Sequence, residues 1–89
     1  MKISDVLIED KIKEKILNKH NLRASEIKNT LLNSPYILKS GKNRYMAIGI
    51  SKRIITIIFE IHNNIAFIIT AYPSSEAQRK LYKLKRKPK

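Results

Sequence analysis

Two isoleucine-rich segments joined by a pair of asparagines constrain the fold of this chain more than any other feature. They occupy residues 53–73, RIITIIFEIHNNIAFIITAYP. Asparagine tolerates the positive φ angles that a two-residue type I′ turn requires, so Asn63-Asn64 predicts a tight turn between two antiparallel strands. We therefore expect this hairpin to be the centre of the fold.

The turn also predicts which residues of the hairpin face one another, because side chains alternate between the two sides of a strand. Four pairs are expected on one side: Ile61–Ala66, Phe59–Ile68, Ile57–Thr70 and Ile55–Tyr72. That side is apolar until Thr70 and Tyr72 introduce hydroxyl groups at the end of the second strand.

Three helices are predicted around the hairpin. Apolar residues at helical spacing indicate a first helix over residues 8–20 and a second over 24–33, which stops at Ser34-Pro35. The first helix is expected to end near Asn18 to Asn21, because asparagine is a common C-terminal capping residue. Ser75 and Gln78 have the spacing of a capping box and begin a last helix that runs from residue 76 to about 85.

Extended segments at residues 36–39 and 44–51, with Gly41 in the turn between them, complete the order helix, helix, three or four strands, helix. This order predicts an α+β fold with the helices on one sheet face: two N-terminal helices packed on a three- to four-stranded antiparallel sheet, followed by a C-terminal helix. The 89 residues are expected to form a single domain, 1–89, with a solvated basic tail at 85–89.

The formal net charge of +12 makes polyanions the natural partners, and nucleic acid, an acidic protein and an anionic membrane all satisfy it. The absence of cysteine excludes disulfides and thiolate metal sites. No apolar run is long enough to span a membrane, and no signal peptide is recognisable. We expect a soluble, cytoplasmic protein with no membrane partner.

Four residues are candidates for chemistry. His20, at a predicted helix end beside Lys19, suits acid–base catalysis next to a phosphate-binding cation, although a histidine there can equally be a capping residue. Arg44 begins a strand after a glycine turn and can present its guanidinium to a phosphate or simply face solvent. Thr70 and Tyr72 end a buried strand, where ligand sites often gather, although both also occur as ordinary strand residues.

The last predicted helix carries a basic patch with an aromatic residue, a combination that suits RNA. Its members are Arg79, Lys80, Tyr82 and Lys83. A solvated helix face explains the charges almost as well. Other chemistries lack support in the sequence, because there is no clustered metal-ligand motif, no phosphate-binding glycine loop and no serine triad. No metal or cofactor is expected.

Several short motifs together resemble the BrnT-type toxins and their phage-borne relatives in the barnase, EndoU, colicin and RelE ribonuclease superfamily. The resemblance spans about residues 11–83. Its motifs are Lys19-His20, Ser34-Pro35, Arg44-Tyr45, the isoleucine-rich hairpin, Ile-Ile-Thr-Ala at 68–71 and the helix that contains Tyr82. Where BrnT-type proteins tend to have Arg-Lys, this chain has Tyr72-Pro73, which is closer to the phage-type ending.

The resemblance implies a RelE-like fold and a metal-independent endoribonuclease that is neutralised by a cognate acidic antitoxin. By position it implies His20 as acid or base, Lys19 and Arg44 as phosphate ligands, and Thr70 as a polar contact. We expect His20, Arg44, Thr70 and Tyr72 to line a cleft between the first helix and the sheet edge. Arg79 and Tyr82 match the family's last helix, and Lys83 extends that basic surface. A non-catalytic RNA-binding domain and an adaptor for an acidic protein remain alternatives, because the charge alone suffices for both.

Overall fold

The computed structural model describes residues 2–33 and 35–85, which form three helices and one five-stranded sheet. In chain order the elements are β1 (Asp5–Leu7), α1 (Asp10–His20), α2 (Ala24–Leu32), β2 (Tyr36–Lys39), β3 (Arg44–Ile50), β4 (Ile54–His62), β5 (Ile65–Pro73) and α3 (Glu76–Lys85). The strand order in the sheet is β1-β5-β4-β3-β2. The predicted α+β class is confirmed.

The predicted sheet was wrong in strand number and in direction. Residues Asp5–Leu7 form a strand ahead of the first helix and pair in parallel with Ile65–Phe67, so the sheet is mixed and has five strands. A three-residue strand is too short to show the alternation by which a strand is recognised in a sequence. Two predicted features lie partly outside the described residues. They are the helix stop at Ser34-Pro35, of which Ser34 is not described, and the basic tail, of which residues 86–89 are not described.

The two faces of the sheet carry different helices. Ile55, Ile57 and Phe59 of β4 are fully buried in the main core, which also contains side chains of α1 and α2. The intervening Thr56 points to the other face, where its hydroxyl donates a hydrogen bond to Gln78 of α3 at 3.0 Å. The prediction that all helices pack on one face is therefore wrong, because α3 lies opposite α1 and α2.

The hairpin of β4 and β5 turns at the predicted residues. Asn63 and Asn64 have φ angles of 53° and 65°, as a type I′ turn requires. Two of the predicted cross-strand pairs next to the turn are present, Ile61 with Ala66 and Phe59 with Ile68. The local sequence thus predicts the turn and the register of the residue pairs next to it.

A β-bulge changes the register farther along the same hairpin. Ile69 is an extra residue of β5, so Thr70 pairs with Ile58 and Tyr72 with Thr56. Because one extra residue turns every following side chain to the other face, Thr70 and Tyr72 leave the core side on which they were predicted. They lie on the face that α3 partly covers.

Gly49 of β3 packs so closely against the end of α2 that a side chain there would clash. A Cβ at this position would lie 2.6 Å from Thr30 Cγ2 and 3.1 Å from Pro35 Cβ. We expect Gly49→Ala to lower the free energy of unfolding by about 1–3 kcal/mol through overpacking, measured by urea denaturation. Thr30→Ser removes the Cγ2 atom and should reduce the cost of Gly49→Ala. An equal cost in both backgrounds would contradict this packing explanation.

Candidate active site between α1 and β5

A cleft lies between α1 and the edge of β5, and we call it the His20 cleft. Its lining residues are Ile12, Lys15, Ile16, Lys19, His20, Ile69 and Thr70. β1 pairs with β5 only as far as Phe67, so α1 borders the strand beyond that point. The volume of 310 Å³ is at the lower end of the roughly 300 to 1,000 Å³ that is usual for small-ligand sites. Two lysines and a histidine make the cleft suitable for an anion.

His20 is the last residue of α1, and its imidazole contacts the aromatic ring of Tyr72. The two ring centroids are 6.3 Å apart and the ring planes are inclined by 53°. The helix ends at Asn21, which has the left-handed φ of 54° predicted for an asparagine cap. The structure therefore brings together three of the four predicted catalytic residues, His20, Thr70 and Tyr72.

Arg53, in the turn between β3 and β4, holds the end of α1 in place. Its Nη2 donates to the backbone oxygen of Asn21 at 2.7 Å and to that of His20 at 3.2 Å. These carbonyls are among the helix-terminal acceptors that lack a partner within the helix, and a guanidinium satisfies them well. No local pattern predicts this contact, because more than thirty residues separate the partners.

Gln78 of α3 fixes the hydroxyl of Tyr72. The Oε1 atom of Gln78 accepts a hydrogen bond from the Ser75 backbone N–H at 2.9 Å, and a backbone N–H can only donate. The amide is thereby oriented, and its Nε2 donates to the Tyr72 oxygen at 3.1 Å. The Tyr72 hydroxyl hydrogen is then available to another acceptor. The sequence identified Gln78 only as a capping residue, and its bond with Ser75 confirms that part.

Arg44, the fourth predicted catalytic residue, does not line the His20 cleft. It lies two strands away from Thr70 and two residue pairs nearer the hairpin turn, a separation of roughly 12 Å from the usual strand spacings. Its Nη2 instead forms an ion pair with Glu60 Oε2 at 2.8 Å. The prediction that Arg44 lines the cleft with His20 was wrong, because the sequence reasoning did not consider its cross-strand ion pair with Glu60.

Glu60 accepts a second hydrogen bond, from Nε2 of His62 at 3.2 Å. Since an ionised carboxylate only accepts, His62 must be the donor. The hydrogen bond from Arg44 and, after it, the one from His62 lower the pKa of Glu60 below its ordinary value. The carboxylate therefore stays ionised to a lower pH than that of a glutamate without these partners.

The residues predicted to bind RNA occupy different places. Lys19 lines the His20 cleft, and Lys15, which the sequence reasoning missed, lies one helical turn before it in the same cleft. Arg79 Nη1 donates to the Ser74 oxygen at 2.8 Å, and Lys83 is exposed on α3. Tyr82 is only 5% exposed, so its ring lies in the interior rather than on the surface as a stacking platform.

The described part of the chain contains no group of three or more histidine and acidic side chains placed to hold a metal ion. In residues 2–33 and 35–85, no helix has the length and apolar character required to cross a membrane.

Comparison with known proteins identifies a similar fold. No protein-family model matches the sequence, and no curated protein matches it in sequence. A solved structure that it resembles is the ribonuclease toxin BrnT of Brucella abortus, with a TM-score of 0.66 and 21% sequence identity. The similarity covers 81% of this chain and 97% of the BrnT chain. The chain thus has a BrnT-like fold.

The bonds from Arg53 predict that this residue keeps His20 in position. We expect Arg53→Ala to lower the free energy of unfolding by about 1 kcal/mol or more, because two carbonyls lose a charged donor. In an NMR spectrum, the amide signals of His20 and of its neighbour Asn21 should shift more than those of the rest of α1. The matched control is Lys52→Ala, which removes an exposed neighbouring cation and should leave both signals unchanged. Equal effects of the two variants would contradict the proposed capping role.

Proposed function

We propose that this protein is an endoribonuclease toxin of the BrnT type, within the barnase, EndoU, colicin and RelE superfamily. The observation that carries the proposal is the His20 cleft, which a histidine, two lysines and a threonine line on a BrnT-like fold. Tyr72 adds an oriented phenol beside the imidazole. The chain is proposed to act as one domain in the cytoplasm, where RNA is present.

In the proposed reaction, RNA is cleaved by its own 2′-hydroxyl. Neutral His20 accepts the proton of that hydroxyl, and the 2′-oxygen attacks the adjacent phosphorus. A bond from O2′ to phosphorus forms and the bond from phosphorus to O5′ breaks, while water supplies a proton to the leaving oxygen. The hydroxide that remains takes the proton from His20 and restores the neutral imidazole. The products are a 2′,3′-cyclic phosphate and a 5′-hydroxyl end.

The other groups of the cleft stabilise the phosphate as its negative charge increases. Lys15 and Lys19 provide positive charge, and the hydroxyl of Thr70 donates a hydrogen bond to a phosphoryl oxygen. Tyr72, whose ring contacts His20 beside the cleft, donates a second one from its hydroxyl. Because Gln78 already donates to the Tyr72 oxygen, the hydrogen of that hydroxyl is free for the substrate. The chain supplies base, cations and donors, so we propose a metal-independent mechanism.

The proposed partner besides RNA is an acidic antitoxin. A net charge of +12 favours association with an acidic protein, and a ribonuclease inside its own host requires such an inhibitor. Neutralisation would follow if the antitoxin covered the His20 cleft. The fold that this chain resembles is that of a ribonuclease toxin, BrnT, which supports this proposal.

Incubation of the purified protein with mRNA and tRNA, with and without EDTA, tests the proposal. We expect cleavage in both conditions and products with 2′,3′-cyclic phosphate ends. His20→Ala should reduce the rate by at least about 100-fold, the usual contribution of a general acid or base. Thermal unfolding of the variant checks that it remains folded.

Two lysine variants provide the matched control. Lys19→Ala should slow cleavage, whereas Lys28→Ala, which removes an exposed lysine of α2 outside the cleft, should not. Undiminished cleavage by a folded His20→Ala variant would exclude the proposed base. RNA binding without any cleavage by the unmodified protein would instead indicate a non-catalytic RNA-binding domain.

A further inference from the structure

A second cavity continues the His20 cleft along β5, and we call it the Phe67 groove. Its volume is 360 Å³, and its lining residues are Leu7, Ile8, Glu9, Ile12, Glu60, Phe67, Ile68 and Ile69. Ile12 and the bulged Ile69 line both cavities, so the two are adjacent along the same strand. A chain that enters the cationic cleft can therefore extend into this groove.

The groove differs chemically from the cleft beside it. Its titratable side chains are the carboxylates Glu9 and Glu60, whereas the cleft contains Lys15, Lys19 and His20. The cleft attracts a phosphate, whereas the groove has no lining cation to bind one. An uncharged part of the same ligand suits the groove better, and in a nucleotide that part is the base.

Phe67 offers this base an aromatic surface. Phe67 is 38% exposed, and its ring contacts His62 edge to face at a centroid distance of 5.6 Å. Exposed aromatic rings on a sheet bind unpaired bases by stacking. The neighbouring Leu7, at 49% exposure, extends the apolar surface.

Glu60 lies directly across the sheet from Phe67 and lines the same groove. Arg44 and His62 occupy one lone pair on each of its two oxygens, and each oxygen can accept at least one more hydrogen bond. The same two partners hold the carboxylate in place. It can therefore accept two donors from the edge of a base stacked on Phe67.

We propose that the Phe67 groove is a base-binding subsite selective for guanine, with Phe67 stacking on the base and Glu60 accepting hydrogen bonds from its Watson–Crick edge. Guanine presents two adjacent donors, N1–H and the N2 amino group, which match the two oxygens of a carboxylate. Adenine and cytosine place a ring acceptor beside their amino group, and uracil has two carbonyls beside its one N–H. The inference rests on the proposed function, because it assigns the substrate preference of the same RNA site.

Binding of the four nucleoside 5′-monophosphates to the purified protein, measured by NMR titration at one ionic strength, tests the subsite without relying on cleavage. We expect guanosine monophosphate to bind about tenfold or more tightly than the other three, as for a two-point hydrogen-bond contact to a base. Phe67→Ala should weaken all four by about tenfold, the usual effect of losing a stacking partner. Glu60→Gln should abolish the guanine preference.

Two variants outside the groove are the matched controls. Glu76→Gln removes an exposed, ion-paired carboxylate of α3, and Leu84→Ala shortens an exposed apolar side chain of the same helix. Neither should change nucleotide binding, and thermal unfolding should show that all four variants are folded. Absence of a guanine preference in the unmodified protein, or its persistence in Glu60→Gln, would refute the subsite.

An RNA cleavage assay shows whether the base-binding subsite or the proposed ribonuclease function is wrong. Guanine-selective nucleotide binding by a protein that cuts no RNA would leave the subsite standing and remove the ribonuclease proposal. RNA cleavage next to every base with equal efficiency, together with equal binding of the four nucleotides, would refute the subsite and leave the ribonuclease proposal in place. Cleavage next to guanosine that is lost with Glu60→Gln is the result expected if both are correct.

Discussion

The pairing of β4 with β5 supports the main core and the candidate site together. On one side of β4, Ile55, Ile57 and Phe59 are fully buried beneath α1 and α2. The bulge at Ile69 keeps Ile68 and Ala71 in that core while it turns Thr70 and Tyr72 to the other face. A regular hairpin would have placed both hydroxyls in the apolar core, where they would need partners. The bulge thus removes this cost and forms one wall of the His20 cleft.

The polar residues near the cleft are held by contacts from three separate parts of the chain. Arg53 binds the end of α1 that carries His20, and Gln78 binds the hydroxyl of Tyr72 from α3. Thr56 and Ser74, both buried, share a hydrogen bond of 2.7 Å beneath the same helix. Fixed donors near a cleft are what an electrostatic stabiliser of a transition state requires. Gln78 is the residue that orients the hydroxyl of Tyr72 at the end of β5.

Features that depend on neighbouring residues could be predicted from the sequence, and features that depend on distant partners could not. The turn at Asn63-Asn64 and the cap at Asn21 follow from the conformational preference of asparagine, and both are present. Thr70 and Tyr72 lie near His20, but on the other face of β5 from the one predicted. The bulge, the pairing of Arg44 with Glu60 and the burial of Tyr82 depend on the assembled sheet. No local pattern in the sequence encodes them.

If His20 and Tyr72 act on RNA as parts of one site, a double-mutant cycle on the cleavage rate shows it most directly. Residues that act together have non-additive effects, whereas independent residues multiply theirs. We expect His20→Ala combined with Tyr72→Phe to cleave RNA about as slowly as His20→Ala alone. A double variant slowed by the full product of the two single effects, with all proteins folded, would contradict the shared site.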